Sequence, residues 1–420
     1  MRLTWRSASV RQLIRFLPTL PARRSIVTGV KSYTALHLHG RRDIFETILR
    51  KISGMLTAAK SVGLWSADYT RVTGQALVTA RVVQHQPQFA WREYVYTGSG
   101  FRSVISWAVA VLRLWAAVAR GQITTLYLVC SRSHWGFLRD VPALLASMVG
   151  ARVVVHAHGS DIVDLLASRP YSPLARALYR RCEIIVPSAH LLEPLRKIIK
   201  IPLHLCENYC MSVGTSVSHK PTAVGEPQAL MVLWNSNIMG SKGFFLLAEA
   251  VHRMSEEGHA VRLVSIGRPI GDDTLSEQGA RDQLAALESE SWFEYLGQLA
   301  PDSANAMILG ADVVSLPSRY RSECQPLAII QAMCAGRAIV VSDIPALRET
   351  LGEYPARFVS VGSTGAIGAI LDALRDLLRE KLSDPVAFGT RRQAPALAAV
   401  KRFAVSRFDH EMATILGGRS

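Results

Sequence analysis

From about residue 61 onward, short apolar runs alternate with longer amphipathic stretches. Apolar runs bounded by polar or glycine-containing loops are typical of buried parallel strands, and the stretches between them are typical of crossover helices. In the first half of the chain, this pattern predicts the strands Ser61–Ala67, Tyr94–Thr97, Thr125–Cys130, Ala151–Ala157 and Glu183–Pro187. It predicts a helix from Gln75, further helices at Ser103–Arg120, Val141–Val149 and Leu191–Ile199, and a loop at Ser131–Asp140.

The polar segment Ser212–Pro227 interrupts this alternation, and its few apolar residues predict a linker between domains. The pattern then restarts with the predicted strands Ala229–Trp234, Val261–Gly267, Phe293–Leu296, Ala311–Leu316 and Ala338–Val341. The predicted helices of this half are Phe244–Met254, Asp272–Leu287, Leu327–Ala335 and Thr364–Leu382. Two such series predict an α/β fold of two doubly wound domains, over residues 61–218 and 226–395, with a C-terminal helix at 396–420 that packs back on the first domain.

Composition supports a folded chain with an unusual basic start. The 420 residues are 49% hydrophobic and 19% charged, which is typical of globular proteins, and the formal net charge is +15. Basic residues crowd residues 1–60, where Asp43 and Glu46 are the only acidic residues before residue 58. Because leucine, phenylalanine and tryptophan are mixed with them, we expect an anionic membrane surface rather than nucleic acid as partner. A poorly ordered or misassigned start is the alternative.

The sequence also bears on the compartment. No stretch of about 18 residues lacks a charge, because Arg113 interrupts the most apolar helix, so we expect no membrane-spanning helix. Arginines break the apolar start, unlike a secretory signal. Six scattered cysteines, with Cys206 and Cys210 as one near pair, match neither a disulfide framework nor a paired zinc signature. We expect a cytoplasmic protein, peripheral on the inner face of the plasma membrane.

The first group of candidate functional residues is the loop His156–Asp161, directly after a predicted strand. In open α/β sheets ligands bind beyond the carboxyl ends of strands, so these side chains are expected to face a cleft. His158 can donate to a hydroxyl or a diphosphate, and Asp161 can accept from a sugar hydroxyl. Loop histidines without a role are the alternative, and a metal site would need a third ligand that the sequence does not supply.

The second group is Gly240-Ser241-Lys242-Gly243, between a predicted strand and the helix that begins at Phe244. Glycines let the backbone approach a ligand, and free amides at a helix start attract phosphate. Lys242 supplies a point charge for a diphosphate. An ordinary glycine-bearing turn with a solvated lysine is the alternative interpretation.

The third group follows the predicted strand Ala311–Leu316. A basic loop with Arg319 and Arg321 leads to Glu323 and then to a helix that opens near Pro326 and Leu327. The free amides of the first helical turn can take a phosphate, and Glu323 can accept sugar hydroxyls. Gln331 lies one turn further, on the side of Leu327, and can bind a ribose. An ordinary strand–helix crossover is the alternative.

The run Glu323–Gly336, continued by Ser342–Glu349, resembles the donor-binding signature of retaining nucleotide-sugar glycosyltransferases. The resemblance is to the large glycogen-synthase-like group, of the bacterial polysaccharide type. It covers about residues 61–420. His156–Asp161 resembles the catalytic loop of the first domain in that group, and Ser236–Gly243 resembles its phosphate-binding loop. Val72–Gln75 resembles its first glycine loop and Glu207-Asn208 its asparagine-containing turn.

The resemblance implies the GT-B fold, in which two Rossmann-like domains face each other across a cleft. It further implies transfer of a sugar from a nucleoside-diphosphate-sugar to a saccharide or lipid-linked glycan, with retained anomeric configuration and without a metal or other cofactor. The first domain would hold the acceptor and the second the nucleotide-sugar. The implied catalytic residues are His158, Asp161 and Glu323. The implied donor-binding residues are Gly240, Lys242, Gly243, Arg319, Arg321, Pro326, Leu327 and Gln331. The implied acceptor-side loops carry Gly74, Gly98, Gly100 and His134.

Two positions depart from the pattern of the group. Gln331 stands where the second carboxylate is usual, and Asn237 stands where an arginine is expected five residues before Lys242. These departures leave open a catalytically weak homologue that acts as a binding or scaffolding subunit. Two further alternatives are a sugar-nucleotide epimerase, which can use the same two-domain fold, and a nucleic-acid-binding protein. The last rests on net charge alone.

Overall fold

The fold comes from a computed structural model, which describes residues 60–70, 73–98, 100–131, 134–211, 229–362 and 364–418. Residues 1–59 of the predicted basic extension lie outside this part of the chain, as does the whole of the predicted linker Ser212–Pro227.

The first domain is built on a parallel sheet of six strands. The strands are β1 (Lys60–Ala67), β2 (Phe89–Tyr96), β3 (Thr125–Val129), β4 (Arg152–His156), β5 (Cys182–Val186) and β6 (Leu203–Leu205), in the spatial order β2-β1-β3-β4-β5-β6. Its helices are α1 (Gly74–Gln84), α2 (Gly100–Ala119), α3 (His134–Leu144), α4 (Asp161–Ala167), α5 (Ser172–Tyr179) and α6 (Leu192–Ile198). Helices on both faces bury the central strands, which is why β3 is buried along its whole length and reads as one apolar run.

The second domain repeats this plan around another parallel sheet of six strands. The strands are β7 (Leu230–Asn235), β8 (Val261–Ile266), β9 (Phe293–Tyr295), β10 (Val313–Leu316), β11 (Ala338–Ser342) and β12 (Arg357–Val359), in the order β12-β11-β10-β7-β8-β9. Its helices are α7 (Phe244–Glu256), α8 (Glu277–Leu287), α9 (Pro301–Gly310), α10 (Leu327–Cys334), α11 (Pro345–Leu351), α12 (Ala366–Ser383), α13 (Pro385–Thr390) and α14 (Gln393–Arg402).

Several elements differ from the prediction, each for a physical reason. The segment predicted as the loop Ser131–Asp140 is helical from His134, because Phe137 and Asp140 are buried against the sheet although the run is locally polar. Strand β2 begins well before the predicted Tyr94, because it is an edge strand whose outer residues include Arg92 and Glu93. Short edge strands such as β6 and β12 carry too few residues for a periodic signal.

The end of the chain is two helices rather than one. Helix α14 ends at Arg402 and a new helix, α15, spans Val405–Gly417. Phe408, Met412 and Leu416 of α15 are buried with apolar residues of β1 and β4, and the Arg81 and Asp409 side chains form a salt bridge. Burial of side chains of this kind contributes roughly 1.5–3 kcal/mol each, so α15 is held firmly on the first domain.

His156, at the end of β4, belongs to the core of the first domain. Its side chain is fully buried, and its Nδ1 lies 2.7 Å from the hydroxyl of Tyr127. Burial lowers the pKa of His156 to about 3, so the ring is neutral near pH 7. An unfolded histidine titrates near pH 6.5, so below that pH the unfolded chain binds a proton that the folded chain refuses.

We therefore expect acid to destabilise the protein through His156. The contribution of His156 to the free energy of unfolding is fully present above about pH 6.5. It falls by about 1.4 kcal/mol per pH unit as the pH drops toward 3. Between about pH 7 and about pH 5, urea unfolding should show that the wild type loses about 2 kcal/mol more than His156→Gln. Equal losses in the two proteins would contradict a neutral, buried His156. Asp140, whose pKa burial raises to about 6, acts with the opposite sign and cancels in this difference.

Candidate functional site

A cavity of about 600 Å³ opens between the two domains, at the carboxyl ends of their strands. The first domain lines it with the start of α1 and with His158 after β4. The second domain supplies the loops after β7, β8 and β10 and the first turns of α10. Its polar lining includes Thr73, Gln75, His158, Asn208, Ser236, Asn237, Lys242, Arg268, Gln298, Asn305, Glu323, Gln325 and Gln331.

The topology of the second sheet explains why two distant loops meet here. Strands β7 and β10 are neighbours, and the strand order runs outward in opposite directions from this pair. Such a switch point leaves a crevice beyond the carboxyl ends of the two strands. The loop after β7 carries Lys242, and the loop after β10 carries Glu323.

Close backbone contact holds these two loops together. Gly243 has φ +84°, and a Cβ atom there would lie 2.1 Å from the carbonyl oxygen of Pro317. Only glycine fits that conformation and that distance. The backbone N–H of Arg319 donates to the carbonyl oxygen of Ser241 at 2.7 Å. Gly240 and Gly243 therefore act by letting the two loops pack together, and neither residue lines the cavity.

Asp272, which follows β8, braces the same loop. One carboxylate oxygen accepts the N–H of Ser241 at 2.8 Å, and the other accepts from the hydroxyl and N–H of Thr274. Burial raises the pKa of Asp272, but the hydrogen bonds from Thr274 and Ser241 outweigh it and lower the pKa to about 2. The loop before α7 is thus positioned from two sides before any ligand binds.

Lys242 and Glu323 form an ion pair at the cavity wall. Lys242 Nζ lies 3.4 Å from Glu323 Oε2 and donates to Ser236 Oγ at 3.1 Å. The ammonium group also lies 5.7 Å from the ring centre of Tyr320. Glu323 accepts a further hydrogen bond from Ser318 Oγ at 3.1 Å. Both side chains are mostly buried, so their charges are shielded little from a ligand in the cavity.

Gln331 lines the cavity one turn into α10. Its Oε1 accepts a weak hydrogen bond from Cys210 Sγ at 3.2 Å. Its Nε2 is buried and has no hydrogen-bond partner among the described residues. A buried hydrogen-bond donor without a partner destabilises the protein, and an acceptor atom on a ligand would remove that cost. Cys206 and Cys210, the near pair of the sequence, lie in separate hydrophobic clusters.

Where the chain leaves the first domain, polar contacts tie it to the loop after β10. Asn208 donates two hydrogen bonds to Gln325, from its backbone N–H to Oε1 at 2.5 Å and from its Nδ2 to the carbonyl oxygen at 2.8 Å. Glu207 accepts from Arg402 Nη2 at 2.5 Å. Arg402 also donates to the carbonyl oxygens of Glu349 and Thr350. The Asn208 turn therefore joins both domains at the floor of the cavity.

His158 and Asp161 lie on the first-domain side. His158 lines the cavity, and its ring centre is 4.0 Å from that of His156. Asp161 is the first residue of α4 and does not line the described cavity. Nearby, Ser160 Oγ donates to the carbonyl oxygen of Arg321 at 2.6 Å, which is a contact between the domains.

Some residues expected at the site lie elsewhere. The side chains of Arg319 and Arg321 are exposed rather than lining the cavity, because the loop turns outward and Arg321 pairs with Asp164 at 3.1 Å. Gly98 follows β2 and Gly100 begins α2, both outside the cavity lining, whereas Gly74, Pro326 and Leu327 are part of it. His134 begins α3. Among the described residues, no three His, Cys, Asp or Glu side chains come together as metal ligands.

The structure also adds residues that the sequence analysis missed. Arg268, Gln298 and Asn305 also line the cavity. Asn305 Oδ1 is buried and has no hydrogen-bond partner in the described part of the chain. Asn305 lies on the short helix α9, which the periodicity did not predict, so no local signal marked it.

Comparison with known proteins finds a matching family for part of the second domain. Residues 229–380 match the family described as "Glycosyl transferases group 1". A phosphatidyl-myo-inositol mannosyltransferase of Mycobacterium leprae (strain TN) is 32% identical over 155 residues. That match covers 36% of this chain and 39% of the relative, so the chain spans well under half of the relative's length in this match.

Solved structures resemble the whole described fold. HepE of Anabaena, in complex with UDP and glucose, has a TM-score of 0.62 at 16% identity, and the match covers 86% of this chain and all (100%) of HepE. The sucrose-phosphate synthase of Thermosynechococcus elongatus has a TM-score of 0.62 at 14% identity, covering 85% of this chain and 98% of that one. Residues 229–380 are therefore a glycosyl transferases group 1 domain, in a chain with the two Rossmann-like domains of the GT-B fold.

Proposed function

We propose that this chain is a retaining hexosyltransferase, which transfers a sugar from a nucleoside-diphosphate-sugar to a saccharide or a lipid-linked glycan. The observation that carries the proposal is the Lys242–Glu323 pair at the switch point of a group 1 domain. A cation for the diphosphate and a carboxylate for the sugar stand side by side there. Solved structures of the similar protein HepE hold UDP or UDP-glucose, which supports a nucleotide-sugar as donor.

In this proposal the donor diphosphate displaces Glu323 from Lys242. The ammonium group then balances the phosphate charge, while the released carboxylate accepts hydrogen bonds from sugar hydroxyls. The free N–H groups at the start of α10, beside Pro326 and Leu327, contribute further positive potential. Charge on the departing diphosphate is thus stabilised by a lysine and backbone amides, and the proposal includes no metal.

His158 and Asp161 have the first-domain roles in the proposal. His158 lines the cavity opposite the second-domain loops. It donates a hydrogen bond to the nucleotide-sugar near the bond that breaks. Asp161, at the start of α4 and outside the cavity lining, is assigned to the sugar hydroxyls on the family resemblance alone. The acceptor enters past Gly74 at the start of α1, with the loops of Gly98, Gly100 and His134 further out.

The acceptor and the place of action complete the proposal. The M. leprae relative is by name a phosphatidyl-myo-inositol mannosyltransferase, which supports a lipid-linked acceptor for this chain. Such an acceptor would meet the enzyme at the cytoplasmic side of the plasma membrane, in polysaccharide biosynthesis. The basic residues 1–60 would add attraction to anionic lipids.

Lys242→Met and Glu323→Gln should each reduce transfer about 100-fold or more, because each removes a charge that acts on the donor. The surface pair Lys197 and Glu193, 3.5 Å apart and exposed, provides matched controls as Lys197→Met and Glu193→Gln. Thermal-shift screening with UDP, GDP and ADP sugars first identifies the donor. Turnover and the anomeric configuration of the product are then measured by NMR. Full activity in both site variants would refute the assignment, and an inverted product would refute retention.

Gln331→Met should weaken nucleotide binding about fivefold, since one neutral hydrogen bond to the ribose is worth about 1 kcal/mol. The free protein should lose little stability, because the change removes a buried donor that has no partner in the described chain along with only the weak hydrogen bond from Cys210 Sγ. Calorimetric titration and thermal unfolding measure the two effects. The weakening should disappear with the 2′- or 3′-deoxy nucleotide that lacks the bonded hydroxyl. Equal weakening with intact and with both deoxy nucleotides would place Gln331 away from the ribose.

A second candidate function is a binding or scaffolding subunit with weak catalysis. Asn237 lines the cavity where the family pattern has an arginine, and Gln331 replaces a carboxylate. Fewer charges then act on the leaving group. Nucleotide-sugar binding without turnover, across the acceptors tested, would favour this candidate over the enzyme.

A further inference from the structure

The outer face of α2 is unusually apolar for a helix that covers a sheet. Its exposed side chains follow the helical period and include Phe101, with 78% of its surface exposed, and Leu112, with 72%. Val104, Ile105 and Val109 fill the same stripe and are about half exposed. The outer face of such a helix normally carries charged residues, yet α2 contains no acidic residue. Exposed apolar surfaces of this extent mark interaction sites.

The inner face of α2 fixes how this surface can be used. Ala110, Leu114 and Ala117 are buried in the first-domain core. By length and composition alone α2 is long and apolar enough to cross a bilayer, which the sequence analysis did not expect. Because the inner face of α2 packs on the sheet, the folded domain leaves only the outer face of the helix for contact with a membrane. The apolar stripe can therefore lie along a surface while the domain stays folded.

Helix α3 extends the stripe. Trp135, with 73% of its surface exposed, and Leu138 are both exposed on α3. The indole N–H of Trp107, on α2, donates to the carbonyl oxygen of Arg139 at 3.0 Å and fixes the two helices side by side. An exposed tryptophan beside an aliphatic stripe suits the boundary between lipid headgroups and acyl chains.

A basic groove borders the same helix. A cavity of about 410 Å³ between β2 and α2 is lined by Arg92, Arg113 and Arg120. None of the three forms an ion pair with a described residue. Glu93 also lines it, but its carboxylate accepts a hydrogen bond from Tyr69 at 2.7 Å. Guanidinium groups bind phosphate oxygens, so the groove suits anionic headgroups.

We propose that this face docks the protein on an anionic lipid bilayer. The docking face consists of the stripe Phe101, Val104, Ile105, Val109 and Leu112, of Trp135 and Leu138, and of the three arginines of the groove. The apolar side chains enter the headgroup boundary, and the arginines bind lipid phosphates. An apolar stripe beside cations, on a helix without acidic residues, fits an anionic bilayer. A second copy of the chain fits less well, because its own docking face would place the same arginines against these arginines.

The docking does not depend on the sugar transfer proposed above, although it would help that reaction. Helix α2 begins at Gly100, directly after the loop at the carboxyl end of β2. The docking face is thus part of the domain assigned to the acceptor, and a lipid-linked acceptor would be reached from the same bilayer.

Vesicle co-sedimentation of the full chain tests the proposal. The wild type should bind vesicles of phosphatidylcholine with phosphatidylglycerol, and Phe101→Ser/Leu112→Ser should lower the partition coefficient about tenfold or more. Val386→Ser/Leu397→Ser, at comparably exposed apolar sites on α13 and α14, should leave it unchanged. Arg92→Gln/Arg113→Gln/Arg120→Gln should remove most of the preference over pure phosphatidylcholine, whereas Arg379→Gln should not.

Insertion has its own signature. Brominated lipids should quench tryptophan fluorescence of the bound wild type, and Trp135→Phe should remove much of that quenching. Donor binding in solution, followed by thermal shift without vesicles, should be the same in wild type and face variants. Its absence in all of them would count against the proposed transferase and leave the docking result valid.

Three outcomes would overturn the docking proposal. The first is equal vesicle binding by the wild type and Phe101→Ser/Leu112→Ser. The second is a wild-type dimer that this double variant dissociates, without vesicle binding, which would assign the face to a second copy. The third is binding that survives the face variants but is lost when Arg11, Arg15, Arg23 and Arg24 become glutamine, which would assign the contact to the basic start of the chain.

Discussion

The backbone contact between Gly243 and the carbonyl oxygen of Pro317 is the constraint on which the site depends. A side chain at residue 243 would collide with that carbonyl, so the loops after β7 and β10 can pack this closely only because Gly243 is glycine with a positive φ. The contact brings Lys242 within 3.4 Å of Glu323, although 81 positions separate them in the chain (323 − 242).

The second constraint is the polar junction between the domains. Arg402 binds Glu207 and the carbonyl oxygens of Glu349 and Thr350, so one guanidinium joins the first domain, the α11 end and the α14 end. The Glu349 carboxylate in turn accepts the N–H groups of Ala189 and His190 across the cleft. Burial raises the pKa of Glu349, but these hydrogen bonds outweigh it, and the net pKa is lowered. The cleft thus has a defined width before a ligand arrives.

These constraints give the two domains different roles in the proposed reaction. The second domain holds a preformed ion pair that a diphosphate can open, and Gln331 Nε2 is a buried donor next to it. The first domain contributes His158 and carries the apolar face of α2 away from its sheet. In the proposals, the donor side and a membrane-docked acceptor side meet at the polar junction between the domains.

The family resemblance makes Glu323–Gly336 a predicted donor signature, but what the sequence by itself determined is the alternation of strands and helices and the two doubly wound domains. Burial on both faces of a parallel sheet leaves a local apolar pattern, so these features are written in neighbouring residues. Only the tertiary structure decided that Lys242 meets Glu323, that Arg321 turns away to Asp164, and that Asn305 lines the cavity. Those contacts join residues far apart in the chain, and sheet order and loop packing, which no local pattern encodes, determine which of them form.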